Sequence, residues 1–295
     1  MTRPAATAPI PDWSRVALSR EGFAERVRAE GARHHRDLPW RYLDDPYAVL
    51  VSEVMLQQTQ VARVERFWRR FLVALPTLDA LAAADTATVL ELWQGLGYNR
   101  RALALKRAAD ECARSHGGRL PEGYEALLAL PGIGPATAAG VRAFALNRPG
   151  VYLETNVRTV LLHELFPDAE GVRDRDLEPY LADCCPAEDP RRWYYALLDY
   201  GAHLKATVPN PSRRSAHHGR QSAFEGSRRQ KRSWVVRRVL VAEGEGVPVA
   251  QVAAELEAQE AAAGRPPVGE ALFGSIVEDL LAEGFFRLEG DRLVP

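Results

Sequence analysis

The sequence predicts an all-α fold that carries a small α+β module at its C-terminal end. Three observations lead there. Apolar residues recur at helical spacing over nearly the whole chain. Glycine and proline punctuate those segments. No clear period-2 alternation occurs before about residue 285.

Taken in order, residues 1–14 open on a Pro/Ala/Thr-rich stretch and are expected to be disordered; they lack the apolar core of a signal peptide. Leu50, Val54, Val61, Val64, Phe67, Trp68 and Phe71 then recur at helical spacing. Leu81, Val89, Leu90 and Trp93 do the same before a break at Gly95 and Gly97. Residues 103–112, 124–130, 141–146 and 157–165 continue the helical series. The character changes at Pro209. Residues 210–238 hold nine Lys/Arg against one acid, Glu225, together with His217, His218, Phe224 and Trp234. This stretch reads either as a solvated linker or as a basic, aromatic-bearing strip for nucleic-acid phosphates. Residues 233–242, 249–259 and 270–282 follow as three amphipathic helices. Phe285-Phe286-Arg287-Leu288, a turn at Glu289-Gly290-Asp291, and Arg292-Leu293-Val294 read as a hairpin. Three helices closed by a hairpin suggest a winged-helix module.

A length of 295 residues fits about two domains. With 46% hydrophobic residues the chain can bury a real core, and a net charge of −1 says nothing for or against nucleic acid. The three cysteines, Cys112, Cys184 and Cys185, form no CxxC spacing, which fits a reduced, intracellular protein. No apolar run approaches the ~20 residues needed to cross a bilayer. A cytoplasmic protein, in a bacterial cytosol or nucleoid, is expected.

The most informative stretch is Leu130-Pro131-Gly132-Ile133-Gly134-Pro135-Ala136-Thr137-Ala138. Two glycines flank an aliphatic residue between a leucine-rich and an alanine-rich helix, which makes a tight helix-to-helix turn. The second helix starts with free N–H groups, a ready site for phosphate. A plain αα-hairpin would look much the same. What distinguishes this one is the set of other stretches around it. Upstream stand Leu38-Pro39-Trp40-Arg41, Asp45-Pro46-Tyr47, Ser52-Glu53-Val54-Met55-Leu56-Gln57-Gln58-Thr59-Gln60-Val61 and Gly95-Leu96-Gly97-Tyr98. Downstream is Leu153-Glu154-Thr155-Asn156-Val157-Arg158. In this order they resemble the helix-hairpin-helix DNA glycosylases, most closely the A/G-specific adenine glycosylases of the MutY type. The resemblance covers roughly residues 38–201.

The resemblance implies a two-lobed all-α fold with a DNA cleft between lobes. A six-helix lobe would span about 45–150, and a second lobe 15–44 and 151–208. Residues 209–232 would be a basic loop, and 233–295 the winged-helix-like module. The implied partner is double-stranded DNA with a mismatched or damaged base, bound by a monomer.

Breaking an N-glycosidic bond requires a proton for the leaving base and a negative charge for the oxocarbenium-like sugar. The base must also leave the helix first. Glu53 lies in an apolar helical pattern, where burial would raise its pKa as a general acid requires. By resemblance it protonates the leaving adenine. Glu154 is the second acid, in a slot where the family carries aspartate. Ala136 occupies the position of the Schiff-base lysine of the endonuclease III branch, and alanine cannot form an imine. By resemblance Gln57 and Gln58 fill the gap left by the flipped base, and Tyr98 lies beside the orphan base. The family often has Tyr-Tyr there, whereas this chain has Tyr98-Asn99. Asn156 would support the second carboxylate. Arg41, Gly132, Gly134, Thr137, Arg213, Arg214, His217 and His218 are assigned to DNA. Carbonyls at Leu130 and Ile133 would bind a monovalent cation.

Two family features have no counterpart in the sequence. The cysteine positions of the family's 4Fe–4S cluster fall on Lys205, Ser212, Ser215 and Gln221, so cysteine ligation is impossible there; no cofactor is expected, and a zinc site at His203, His217 and His218 lacks completing ligands. The residues after Trp234 do not resemble the Nudix-like domain that reads 8-oxoguanine. Three readings stay open: a monofunctional adenine glycosylase; a glycosylase for another base, such as uracil or thymine opposite guanine, hypoxanthine or a modified purine; and a non-catalytic damage-binding protein.

Overall fold

The computed structural model describes residues 10–216, 219, 223–242 and 245–295. His217, His218 and Gln221 lie outside the described residues. The chain runs α1 (Arg20–Arg33), α2 (Pro46–Leu56), α3 (Val61–Ala74), α4 (Leu78–Ala83), α5 (Thr86–Trp93), α6 (Arg100–Ser115), α7 (Tyr124–Leu128), α8 (Pro135–Phe144), α9 (Thr155–Glu164), α10 (Asp174–Cys184), α11 (Pro190–Thr207), α12 (Arg228–Leu240), β1 (Val247–Pro248), α13 (Val249–Ala262), α14 (Glu270–Ala282), β2 (Arg287–Glu289) and β3 (Arg292–Val294). This is the all-α fold with a small C-terminal α+β module. Ser19, Thr77, Asp85 and Ser227 start α1, α4, α5 and α12 by accepting first-turn N–H groups on their side chains.

Order begins earlier than the sequence suggests. Trp13–Arg15 form a 3-10 turn capped by Asp12. Trp13 packs edge-on against Tyr180 at 5.0 Å, and its indole N–H donates to Asp183 at 3.1 Å. The expectation of disorder through Ser14 is therefore corrected at residues 12–14, because one buried aromatic face outweighs a polar, proline-rich context.

The chain divides into two compact units. The first takes in the described residues of 1–53, 121–129 and 133–220. Its core joins Phe23 and Val27 of α1, Val49 of α2, Ala139, Ala143 and Phe144 of α8, Val157 and Leu161 of α9, and Trp193, Tyr194 and Leu197 of α11. This departs from the expected lobes. The larger part of α2 and all of α8 group with the N-terminal helix and α9–α11, since their apolar faces fill that one core.

The second unit takes in 54–120, 130–132 and the described residues of 221–295. Its α3–α6 part is built around Phe71 and Trp93, which meet edge-to-face at 6.0 Å, with Leu81, Leu90 and Leu105 fully buried beside them. The C-terminal part has the helix and strand order of a winged helix. Its sheet runs β1-β3-β2, all antiparallel, with Leu293 opposite both Val247 and Leu288. Strand β1 escaped the sequence reading because two residues carry no periodicity. The module also starts earlier than residue 233, since Ser227 caps α12 and Arg228 is its first residue. A buried carboxylate, Glu260, bonds Lys231 of α12 at 2.8 Å and Arg265 at 2.7 Å, tying α13 to α12. Helix α14 carries Glu270, Glu278 and Asp279 and no Lys or Arg. Its C-cap, Glu283, forms an ion pair with Arg100 of α6 and another with Arg232 of α12 at 2.7 Å. The module is thereby pinned to α6.

Candidate active site

Glu53 sits on α2 within the first unit, half-buried among apolar neighbours. Its carboxyl lies directly over the backbone of α8. A methyl group at Gly140 would stand 2.4 Å from Glu53 Oε2 and 2.9 Å from the ring of Tyr152. Glycine at 140 is thus the condition for the acid to sit where it does. The Tyr152 hydroxyl hydrogen-bonds the Glu53 carboxyl and favours its charge, and Glu154 nearby opposes it. Loss of water outweighs both and pushes the Glu53 pKa up to about 8. Tyr152 is held edge-on by Phe144 at 5.0 Å and Tyr194 at 5.4 Å, and its backbone N–H donates to the Tyr194 hydroxyl at 3.2 Å. The sequence reading missed Tyr152, since an aromatic in Val-Tyr-Leu is indistinguishable from core.

Glu154 is the N-cap of α9. Its Oε1 accepts from the N–H groups of Asn156 at 2.7 Å and Val157 at 3.0 Å. The Asn156 amide approaches Oε2 at 3.5 Å, and Lys205 donates to Asn156 Oδ1 at 3.2 Å. Burial holds the Glu154 pKa above the ordinary carboxyl value, although the two N–H donors, Lys205 and Arg158 oppose it. The helix N-terminus favours the same ionised form. Asn156 therefore stands where the sequence put it, beside the second carboxylate. Its placement depends on α11: a methyl at Gly201 would lie 2.2 Å from the Asn156 carbonyl oxygen.

The same α11 segment explains a correction. Arg41, assigned to DNA, is a core residue with 5% of its surface exposed. It donates from Nη1 and Nη2 to Asp199, both at 2.7 Å, and its guanidinium stacks on Tyr195 at 4.4 Å. Arg36 adds a third bond to Asp199 at 2.6 Å. Tyr195 in turn stacks on Phe144, which holds Tyr152. Arg41 thus supports the acid from behind rather than touching phosphate. Thr137 is also corrected: it faces the buried side of α8.

In the second unit, Gln57 and Gln58 are exposed beyond the end of α2, and Gln58 has φ +56°. Tyr98 is 37% exposed with φ +51°. Arg101 of α6 holds both turns. Its Nη1 donates to the carbonyls of Val54, Met55 and Gln57; its Nη2 donates to Thr59 Oγ1 at 3.1 Å and the Gly97 carbonyl at 3.0 Å. These carbonyls are the unsatisfied acceptors of a helix C-terminus. Arg101 was not singled out from the sequence, because nothing there says which of Arg100 and Arg101 faces inward. In the hairpin turn, Gly132 has φ +73°, whereas Gly134 has an ordinary extended backbone with φ −89° and open space at its Cβ position. Only the first of the two glycines is needed by the turn. Leu130 and Ile133 bury their side chains.

The segment in the family's cluster position does not fit a 4Fe–4S group. Lys205 is engaged with Asn156, Ser212 Oγ donates to Asn210 at 2.8 Å, and Ser215 pairs with Val172 through a parallel bridge. Cys112, Cys184 and Cys185 lie elsewhere as free thiols. Among the described residues no group of three or more His, Cys, Asp or Glu could hold a metal ion. Arg214, assigned to DNA, donates instead to the carbonyls of Leu162 at 2.7 Å, Phe166 at 3.0 Å and Pro167, closing the end of α9. Its cationic head is spent on a helix C-terminus. Arg213 beside it is exposed.

The first unit thus holds two part-buried carboxyls, Glu53 and Glu154, and the second holds two exposed turns with left-handed backbone at Gln58 and Tyr98. Residues 51–185 match the HhH-GPD superfamily of base excision DNA repair proteins. Among curated relatives, an adenine DNA glycosylase of Mycobacterium tuberculosis is 40% identical over 174 residues, covering 58% of this chain and 57% of that protein. The adenine DNA glycosylase of Homo sapiens is 40% identical over 135 residues, covering 43% and 25%. The chain thus spans little more than half the length of the mycobacterial relative. A thermostable thymine-DNA glycosylase has the same fold, with TM-score 0.58 and 23% identity over 65% of this chain and 90% of that one. So does an endonuclease III trapped on DNA, with TM-score 0.55 and 20% identity over 65% and 91%.

Proposed function

We propose that the protein is a monofunctional DNA N-glycosylase of base excision repair, which hydrolyses the glycosidic bond of a mispaired adenine in double-stranded DNA and leaves an abasic site. The observation that carries this reading is the pairing of Glu53 with Glu154. Burial raises the pKa of both neighbouring carboxyls, but only Glu154 has backbone N–H donors and nearby cations that favour its charged form. Glu53, with a pKa of about 8, holds its proton near neutrality and can pass it to the departing base. Glu154, anchored by two backbone N–H groups, is the carboxylate that faces the positive charge developing on the sugar. Ala136 offers no amine for an imine, so no lyase step follows at that position. The protein acts as a monomer on cytosolic DNA.

A second reading, excision of another base, is favoured by one observation. Glu154 fills the family's aspartate slot with a longer side chain folded back onto its own helix. The deciding experiment is single-turnover base release from duplexes carrying A opposite 8-oxoguanine, A opposite G, U or T opposite G, and hypoxanthine, each with and without alkali. Adenine release with strand breakage only after alkali supports the first reading. Release of another base supports the second. Tight binding with no release from any duplex would leave a damage-binding protein.

A further inference from the structure

Helix α12 has two differently used sides. Val235, Val236, Val239 and Leu240 are buried and build the core of the C-terminal module. Trp234, Arg237, Arg238 and the C-cap Val241 recur at i, i+3, i+4 and i+7, so they share another side of the helix. Together with Gln259 of α13 they line an open groove of about 460 Å³. Sites that take small ligands span roughly 300–1,000 Å³. Val241 is 72% exposed and Trp234 partly exposed, so the groove shows apolar surface to solvent.

The two arginines of the groove differ. Arg238 is neutralised: it donates to both oxygens of Glu255 on α13, from Nη2 at 3.1 Å, and Gln251 donates to the same carboxylate at 2.8 Å. Arg237 is exposed and has no hydrogen bond or ion pair among the described residues. The other wall, α13, carries Glu255, Glu257 and Glu260 and no Lys or Arg. These charges decide between occupants. A nucleic-acid strand brings a phosphate at every step and needs a row of cations. Here one unneutralised guanidinium faces a helix whose charges are all negative. A single carboxylate suits Arg237, which can meet it with two parallel hydrogen bonds. An apolar side chain beside that carboxylate would cover Trp234 and Val241 and remove their surface from water.

We propose that this groove docks a short acidic peptide segment of a partner protein, with Arg237 pairing its carboxylate and with Trp234 and Val241 receiving a large apolar residue next to it. Tryptophan and arginine are frequent anchors of such contacts. The groove lies wholly within the C-terminal module and uses none of the residues assigned to base excision.

The test is to pan a phage library of random linear heptapeptides on the immobilised full chain, and to measure each enriched sequence as a fluorescein-labelled synthetic peptide by anisotropy. Enriched peptides are expected to join Asp or Glu to Phe, Trp, Leu or Ile. Arg237→Glu should weaken their binding by about tenfold or more. Val241→Asp should weaken it as well, by removing apolar surface and repelling the carboxylate. Arg287→Ala, at an exposed arginine of β2, should leave it unchanged. Arg237 and Val241 are exposed, so both variants spare the module core, and thermal unfolding checks that they fold. An absence of acidic–apolar sequences among the enriched peptides overturns the proposal, as do enriched peptides that bind a folded Arg237→Glu protein as tightly as wild type. Binding of a labelled oligothymidylate that Arg237→Glu abolishes would assign the groove to single-stranded nucleic acid instead. Self-association in sedimentation that Val241→Asp abolishes would assign it to a second copy of the chain. Either result overturns the peptide assignment.

Discussion

Gly140→Ala is the substitution that most directly tests how Glu53 is held. The added methyl would lie 2.4 Å from Glu53 Oε2 and 2.9 Å from Tyr152 Cε2. Ordinary contact lies at about 3.5 Å. Tyr152 is wedged between Phe144 and Tyr194, so the carboxylate end of Glu53 is the part that yields, by roughly 1 Å. A 1 Å misplacement of a reacting group can cost about a hundredfold in rate. The fold should take the change more easily. Overpacking costs about 1–3 kcal/mol, and alanine offsets nearly 1 kcal/mol of that by its better helix propensity. The expected protein is folded, destabilised by about 2 kcal/mol at most, and about a hundredfold slower in single-turnover base release. Urea unfolding and single-turnover kinetics on one preparation would check both. A Gly140→Ala protein with the wild-type rate would refute the placement of Glu53 against α8, and with it the claim that this glutamate is the acid.

Other outcomes follow from the same geometry. Base release should be flat at neutral pH and fall as pH rises through about 8, where Glu53 loses its proton; a profile that rises there would exclude Glu53 as the acid. The folded protein binds this proton more tightly than the unfolded chain between the ordinary carboxyl value of 4.5 and about 8, so Glu53 makes stability fall with pH across that window. Glu53→Gln should therefore lose base release, keep DNA binding, and melt above wild type at pH 9. Tyr152→Phe removes the donor that favours charged Glu53, so the fall in rate should move to higher pH while aromatic packing is kept; an unmoved profile would separate Tyr152 from the acid. Asp199→Asn leaves Arg41 charged and buried with a weaker partner, and should cost up to about 3–5 kcal/mol in urea unfolding, far more than a surface phosphate contact would. Arg214→Met should lower stability by about 1–3 kcal/mol without changing the salt dependence of DNA binding, which an arginine at phosphate would change.

Much of the fold was legible because helices advertise themselves. The apolar spacing, the capping serines and the Gly/Pro breaks each act within a few residues, and α3, α5, α6 and α14 follow them closely. What was not legible acts across the sequence. Arg41 and Asp199 are 158 residues apart, so nothing local distinguishes a buried arginine with a bidentate partner from one at a surface. The Asp-Tyr-Gly run at 199–201 carries no local mark of its role. In the structure each end has a task, Asp199 holding Arg41 and Gly201 admitting the Asn156 carbonyl. The basic stretch misled in the same way. Its count of cations was correct, but Arg214, Arg228, Lys231, Arg232 and Arg238 bond carbonyls or carboxylates of the protein itself. Charge density in a sequence says how many cations exist, not how many remain for a ligand.

The substitution of glutamate for the family's aspartate at 154 takes on a different meaning once α9 is in view. N-cap positions favour short acceptors because the side chain must turn back to the first-turn N–H groups. Glu154 makes the same bonds with one more methylene, and its carboxylate is consequently tethered at Oε1 rather than free to swing. Among the described residues, the Glu53 carboxyl is favoured in its charged form by the Tyr152 hydroxyl rather than by a backbone tether or a cation. Proton affinity is therefore divided by architecture. A carboxyl laid over apolar α8 keeps its proton, and a carboxyl fixed on the N-terminus of α9, near Lys205 and Arg158, is better able to give its proton up. A longer side chain alters where the second carboxyl sits, while the N–H donors, Lys205 and Arg158 still favour its charged form against burial. The expected consequence of Glu154 lies in substrate geometry, in which sugar and which base can be brought to the tethered oxygen, rather than in the loss of the acid–carboxylate pair.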